Sequence, residues 1–218
     1  MLKAVLFDMD GVIVDTEPLH HKAYHLMFKD VGINVGEALY DSFTGQSTIN
    51  ICRRLVNHFQ LRNRAEELVA LKRQHFKYLF DNDEALTLIP GVLDLIKDFH
   101  ANNVTLVVAS SASMPNINRI FDRFDLNQYF NGKFSGADLK QSKPHPEIFV
   151  KAAAHTGYHK TNCMVIEDST NGIIAAKSAE IFCVGYRSLH SHGQDYSKAD
   201  LVISDFKELH YDKAKLLL

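Results

Sequence analysis

The chain contains no polybasic run, no CxxC pair and no apolar stretch approaching the ~18 residues of a membrane span. Each absence excludes something. Lysine and arginine total 24 against 26 acids, a net charge of −2, so there is no electrostatic footprint for nucleic acid or an anionic membrane. Cys52, Cys163 and Cys183 form an odd, scattered set. They supply neither a disulfide framework nor a zinc site, and they suit a reducing cytoplasm. The 12 histidines are dispersed and form no tag or metal tract. No internal repeat or low-complexity segment interrupts the chain. Its first six residues, MLKAVL, are too short for a signal peptide and run directly into two acids, so no leader is expected.

What is present is a chain of 218 residues, 46% hydrophobic, which is enough for a sizeable core. That length suits one large domain, or one domain carrying a smaller insertion. Residues 2–7 read as a short buried strand. Residues 17–31 follow a helical period, with Leu19, Ala23, Leu26, Met27 and Val31 on one face and Gly32 as the stop. Residues 37–82 contain no proline and read as helices throughout. One apolar stripe there is Ile49, Leu55, Val56 and Phe59; another is Leu68, Leu71, His75, Tyr78 and Leu79. Beyond Pro90-Gly91 the pattern changes. Helices over 92–100, 115–124, 146–155 and 170–179 alternate with apolar strands over 104–110, 163–168, 181–186 and 201–204. Nearly all-apolar strands alternating with helices predict an α/β fold with a parallel sheet covered on both faces. The first strand joins that sheet, and the helical block becomes an insertion after it.

Polar residues fall at the strand ends. "AVLFDMD" ends in Asp8 and Asp10, "LVVASS" in Ser110 and Ser111, and "CMVIED" in Glu167 and Asp168. In an open parallel sheet the carboxyl ends of the strands line one edge, where ligands bind. Lys143, in "SKPHPEIF", precedes a proline-started helix and joins the set. Clustered carboxylates require a cation, and all-oxygen ligands favour a hard one such as Mg²⁺. A carboxylate can attack phosphorus, and phosphoryl transfer needs its oxygens neutralised. Dehalogenation would also use an aspartate nucleophile but would leave Asp10, Glu167 and Asp168 without a purpose. Each feature alone has a plainer reading: Asp8 and Asp10 as a surface turn, the serines as a strand end, Lys143 as a solvated lysine, Glu167 and Asp168 as helix caps.

Together, in order and with suitable spacing, "FDMDGVIVDTEPLH", "VVASSAS", "SKPHPEIF" and "VIEDSTNGIIAAKSA" resemble the four motifs of the haloacid dehalogenase superfamily. The similarity is to the subgroup holding β-phosphoglucomutase and the sugar-phosphate phosphatases, and it covers essentially the whole chain. It implies a Rossmann-like core over 1–15 and 86–218 with a helical cap over 16–85. It implies Asp8 as nucleophile and Asp10 as general acid and base. It implies phosphate held by Ser110, Ser111 and Lys143. Mg²⁺ would be held by Asp8, the Asp10 backbone carbonyl, Asp168 and Glu167, the last directly or through water. Thr16 and Glu17 would sit at the hinge, with His20 coupling substrate binding to cap closure. Lys77 is a further cap candidate, against the alternative of a solvated helix face. The same resemblance implies a small phosphorylated metabolite as partner and a monomer that opens and closes.

Two departures stand out. β-Phosphoglucomutase has a cap arginine, shortly after a glycine, that grips the distal phosphate. Here "TGQSTINICRR" puts Thr48 at that place, with Arg53 and Arg54 further on. That favours a Mg²⁺-dependent phosphatase of small phosphate monoesters over a mutase, with inorganic diphosphatase and non-catalytic binding protein as lesser alternatives. Glu180 stands where relatives end a helix with glycine, which bears on local stability.

Overall fold

The computed structural model describes residues 1–43, 46–189 and 193–218. Six parallel strands form one sheet in the order β3-β2-β1-β4-β5-β6. They are β1 (Ala4–Phe7), β2 (Thr105–Ser110), β3 (Gly132–Ser135), β4 (Cys163–Glu167), β5 (Phe182–Tyr186) and β6 (Leu201–Ile203). This is the doubly wound order, and its direction reverses at β1. The hydrophobic alternation predicts five of these strands. It misses β3, a four-residue edge strand whose sequence GKFS carries too few apolar residues to announce itself.

Side-chain alternation divides the core between the two faces. Val5, Phe7, Leu106 and Val108 pack under α5 (Val92–Ala101) and α6 (Met114–Arg123). Ala4, Leu6, Val107 and Val165 pack under α7 (Glu147–Thr156) and α8 (Thr170–Ser178). The short α9 (Tyr211–Ala214) adds Ala214 to the first of these layers.

Between β1 and α5 lie four helices: α1 (Glu17–Asp30), α2 (Glu37–Asp41), α3 (Thr48–Phe59) and α4 (Ala65–Asn82). They bury a core of their own around Tyr24, Met27, Phe28, Ile51, Leu55 and Leu68. Leu19, Ala23, Phe76 and Phe80 pack instead with the layer beneath the sheet, so the block is keyed into the main core at its base. The chain leaves and returns side by side: Val14 bridges Leu88, and the Ile89 N–H donates to the Ile13 carbonyl at 3.0 Å. Arg123 of α6 donates to the carbonyls of Phe80 and Asp83, satisfying acceptors at the end of α4.

The helical faces differ from the expected stripes. Leu26 is 37% exposed, and Tyr24 and Phe28 take its place on the buried face of α1. On α3 the fully buried positions are Ile51, Cys52 and Leu55, while Ile49, Val56 and Phe59 flank them. On α4 the expected stripe is rotated. Tyr78 is 67% exposed, and the buried face runs through Leu68, Val69, Lys72, Phe76 and Phe80. A stripe traced through apolar residues alone steps over Lys72 and slides around the helix.

Glu180 adopts φ +57°, the left-handed conformation expected from its place after α8. The Ile181 N–H reaches the Ala176 carbonyl and the Glu180 N–H the Lys177 carbonyl, which together form a Schellman ending. Glutamate holds this position against its backbone preference, with a surface ion pair to Lys160 as partial compensation. Glu180→Gly is therefore expected to raise the melting midpoint by about 2–4 °C without altering any activity, measured by differential scanning calorimetry.

Candidate active site

Ala4 and Leu6 face α7 and α8, so Asp8, two residues on, turns to the same side, as does Glu167, two on from Val165. The Asp8 N–H extends the ladder to the Ile166 carbonyl at 2.9 Å and fixes the backbone beneath the carboxylate. Lys143 enters from the segment preceding α7, on that side. Its ammonium donates to Asp8 Oδ1 at 2.5 Å, Glu167 Oε1 at 2.6 Å and the Ala109 carbonyl at 3.0 Å. All three of its donors are used, and the residue is buried. Glu167 Oε2 accepts from the Ser169 N–H and hydroxyl. Ser169 Oγ in turn caps α8 by accepting from the Gly172 N–H at 3.0 Å.

Two glycines allow this close packing. A Cβ on Gly172 would lie 1.8 Å from the Glu167 carboxyl, and one on Gly11, at φ +81°, would lie 2.1 Å from Asp168 Oδ2.

Across the cleft, Asp10 meets the first turn of α1. Thr16 occupies the N-cap position, yet its hydroxyl makes no cap bond. It donates instead to Asp10 Oδ1. His20 Nε2 lies 3.4 Å from the same oxygen, and the Ser110 hydroxyl 3.5 Å from the other. His20 Nδ1 is 2.6 Å from the ammonium of Lys72, whose buried head sits 4.8–4.9 Å from the ring centres of Tyr24 and Phe76. An ammonium only donates, so Nδ1 accepts and Nε2 carries the proton toward Asp10.

The two acids are tuned in opposite directions. Burial pushes the Asp8 carboxyl up to about 7, against the pull of Lys143. Burial alone would raise Asp10 too. The hydrogen bonds from His20 and the Thr16 hydroxyl and the charge of Lys72 outweigh it and hold Asp10 below the usual carboxylate range. Burial and then the neighbouring Lys72 charge hold His20 low, so its imidazole is neutral. Burial brings Lys72 down to about 8. Lys143 stays charged despite burial because Asp8 and Glu167 raise it.

One cleft thus gathers Asp8, Asp10, Ser110, Ser111, Lys143, Glu167 and Asp168 from the sheet edge. Glu17, His20, Thr48 and Lys72 line it from the helical block. Thr16 reaches it through Asp10. Lys77 does not: its exposed ammonium pairs with Asp81 one turn along α4. Lys72 is the cationic residue that α4 brings to the site, and sequence reasoning passed over it. The available signal was a lone lysine at helical spacing from Leu68 and Phe76 on a buried face.

Beside this cleft runs a second, lined by Arg53, Arg73 and Lys140. The Asn50–Ser142 hydrogen bond, 3.1 Å long, joins two more residues of its wall. At the start of α3 the buried Ser47 hydroxyl has no hydrogen-bond partner among the described residues. Arg54 turns away onto Phe43 and Ser42. Gly45, the glycine preceding Thr48, lies outside the described residues.

The donor set fits a hard divalent cation. Among the described residues no three carboxylate, imidazole or thiolate groups gather tightly enough to hold an ion unaided. Mg²⁺ does not need three, since it usually retains several waters and takes one or two carboxylates. Asp8 and Asp168, both oxygen donors, line the cleft. Both oxygens of Glu167 are already engaged.

The family model for haloacid dehalogenase-like hydrolases matches residues 5–186. A probable pseudouridine-5'-phosphatase of Drosophila melanogaster is 32% identical over 80% of this chain and 77% of its own length. A phosphorylated carbohydrates phosphatase of Thermotoga maritima is 30% identical over 87% of each. Among solved structures, CbbY from Rhodobacter sphaeroides in complex with phosphate superposes with a TM-score of 0.87 at 26% identity, covering 96% of both chains. β-Phosphoglucomutase from Clostridium difficile gives 0.85 at 27%, covering 100% of this chain and 97% of that one. With the motifs, the doubly wound sheet and the strand-edge acids already in place, the match over residues 5–186 makes this chain a member of the haloacid dehalogenase-like hydrolases.

Proposed function

We propose that the protein is a Mg²⁺-dependent phosphatase of small phosphate monoesters, sugar phosphates foremost, working through an aspartyl phosphate on Asp8. The observation that carries this is the pairing of two oppositely tuned carboxylates across one cleft. Asp8 is locked to Lys143, and Asp10 is held anionic by Thr16 and His20.

In the first step the Asp8 carboxylate attacks phosphorus and the bond to the leaving oxygen breaks. Lys143, Ser110 and Ser111 face the phosphoryl oxygens. The leaving oxygen takes its proton from Asp10. In the second step Asp10 removes a proton from water, which attacks phosphorus, and the Asp8–phosphorus bond breaks to release phosphate. In the arrangement observed Asp10 is set as the base. Acting as the acid requires it to part from Thr16 and His20, both on the first turn of the helical block. We therefore read residues 16–85 as a cap over a core of 1–15 and 86–218, with Thr16 and Glu17 at its hinge. When bound, Mg²⁺ supplies positive charge that offsets Asp8 and the incoming phosphate. Asp8, Asp168 and the Asp10 backbone carbonyl would hold it, with Glu167 acting through Lys143 and Ser169. The organic part of the substrate extends past His20 and Lys72 into the second cleft, where Ser47, Arg53, Arg73 and Lys140 offer polar contacts.

No described helix is long and apolar enough to cross a membrane. The three cysteines are buried and unpaired, which suits a reducing compartment such as the cytoplasm. We read the working unit as a monomer.

Asp8→Asn is expected to lower phosphate release at least about a thousandfold across a panel of sugar phosphates, nucleotides and diphosphate with Mg²⁺ present. Retained turnover by a folded Asp8→Asn protein would overturn the reading. If diphosphate alone is turned over, the substrate is the inorganic one. Lys72→Met should cut kcat/KM about 10- to 100-fold through misplacement of His20, while Lys77→Met stays within about twofold of wild type. Equal effects of the two would remove Lys72 from the site.

Isomerisation in the manner of β-phosphoglucomutase is the second reading, favoured by the approach of His20 to Asp10. With glucose 1-phosphate and a bisphosphate primer, phosphate release without glucose 6-phosphate is the outcome expected of the phosphatase. Dominant conversion to glucose 6-phosphate reverses the order of the two readings.

A further inference from the structure

The segment following β5 takes no part in the chemistry above, yet it grips the chain that carries Asp168. The Tyr196 hydroxyl donates to the Asp168 carbonyl at 2.9 Å. The Thr170 N–H donates to Gln194 Oε1 at 2.8 Å, and the Asp195 N–H to Thr170 Oγ1 at 2.7 Å. Three consecutive residues thus bond to the first and third residues of Asp168-Ser169-Thr170. The Tyr196 ring is itself seated. A Cβ on Gly185 of β5 would lie 3.0 Å from its Cδ1, so the bare backbone there lets the ring lie close. The Arg187 guanidinium stands 5.7 Å from its centre.

Asp168 needs such support. β4 ends at Glu167, and the cap of α8 is Ser169, so Asp168 belongs to neither element. Its carboxylate packs against the bare face of Gly11. On the other side of the same residue, its carbonyl meets Tyr196. The tyrosine hydroxyl opposes displacement of the Asp168 main chain, and with it of the Cα that carries the carboxylate.

We propose that Tyr196 is a positioning residue for the divalent cation, acting through the Asp168 carbonyl to set the affinity for Mg²⁺. This rests on the reading of Asp168 as a ligand. Outer-shell partners of metal ligands usually carry about 10- to 100-fold in affinity; acting through the backbone, Tyr196 should carry less, about three- to tenfold.

Tyr196→Phe keeps the ring on Gly185 and removes only the hydroxyl. The dissociation constant for Mg²⁺ is read from the dependence of the melting midpoint on Mg²⁺ concentration, without substrate. It is expected to rise about three- to tenfold, with the metal-free midpoint within about 2 °C of wild type and kcat at saturating Mg²⁺ within about twofold. An unchanged dissociation constant overturns the proposal, whether or not the metal-free midpoint falls, because the hydroxyl would then be a purely structural contact. Asp168→Asn separates this outcome from failure of the underlying reading. If that variant still binds Mg²⁺ as wild type does, Asp168 is not a ligand and both ideas fall. If it loses binding while Tyr196→Phe does not, only the role of Tyr196 is lost.

Discussion

The ammonium of Lys143 organises the catalytic edge. A charge removed from water is tolerable only where its donors are all met, and here three strands meet them: β1 through Asp8, β4 through Glu167 and β2 through the Ala109 carbonyl. Losing Lys143 would leave two buried carboxylates without their cation, at a cost of about 3–5 kcal/mol. The cluster of two carboxylates and one ammonium keeps a net negative charge, which suits a cation-assisted site. It also commits one oxygen of Asp8. The constraint extends outward to Gly172, since no larger residue could stand against the Glu167 carboxyl.

The second node is built differently from the first. Asp10 sits on the loop after β1, but its hydrogen-bond donors Thr16 and His20 belong to α1, and Lys72 behind His20 belongs to α4. Its state therefore depends on where the helical block stands. A single carboxylate can serve as acid in one half of a reaction and base in the other only if its environment changes between them. The placement of its donors on the helical block ties that environment to the block. The Val14–Leu88 bridge and the grip of Arg123 on α4 anchor the block at its base, and elsewhere the Asn50–Ser142 contact is an exposed side-chain bond.

Much of this was legible in the residues. Apolar strands that stop at acids announce a parallel sheet with a polar edge, and the alternation of Leu6 and Asp8 across Phe7 fixes which side Asp8 takes. The four motif segments identify Asp8, Asp10, Ser110, Lys143, Glu167 and Asp168, and the structure brings all six to one cleft. What was not legible has a common cause. Lys72 hides because helical periodicity is read from apolar residues, and a buried lysine looks like a gap in the stripe. Lys77, five positions along, looks equally charged in sequence and points to solvent. β3 hides because a short edge strand needs little hydrophobicity to pair. Tyr196 hides because its partner is a backbone carbonyl, and carbonyls leave no trace in a sequence.

The same contrast explains why substrate choice is written less plainly than chemistry. The acids and serines of the proposed phosphoryl site come from strand ends, whose positions follow from a regular lattice of hydrogen bonds. Residues lining the second cleft come from helix faces and from loops such as the one bearing Lys140, where a rotation of one residue exchanges an inward side chain for an outward one. Arg53 and Arg54 show this on adjacent positions of α3: the first lines the second cleft, and the second packs on Phe43. Thr48, at the place of the gripping arginine, lines the catalytic cleft without bringing a charge to it. The cations beside the site come from other positions instead: Arg53, Arg73 and Lys140 line the second cleft, and Lys72 lines the first.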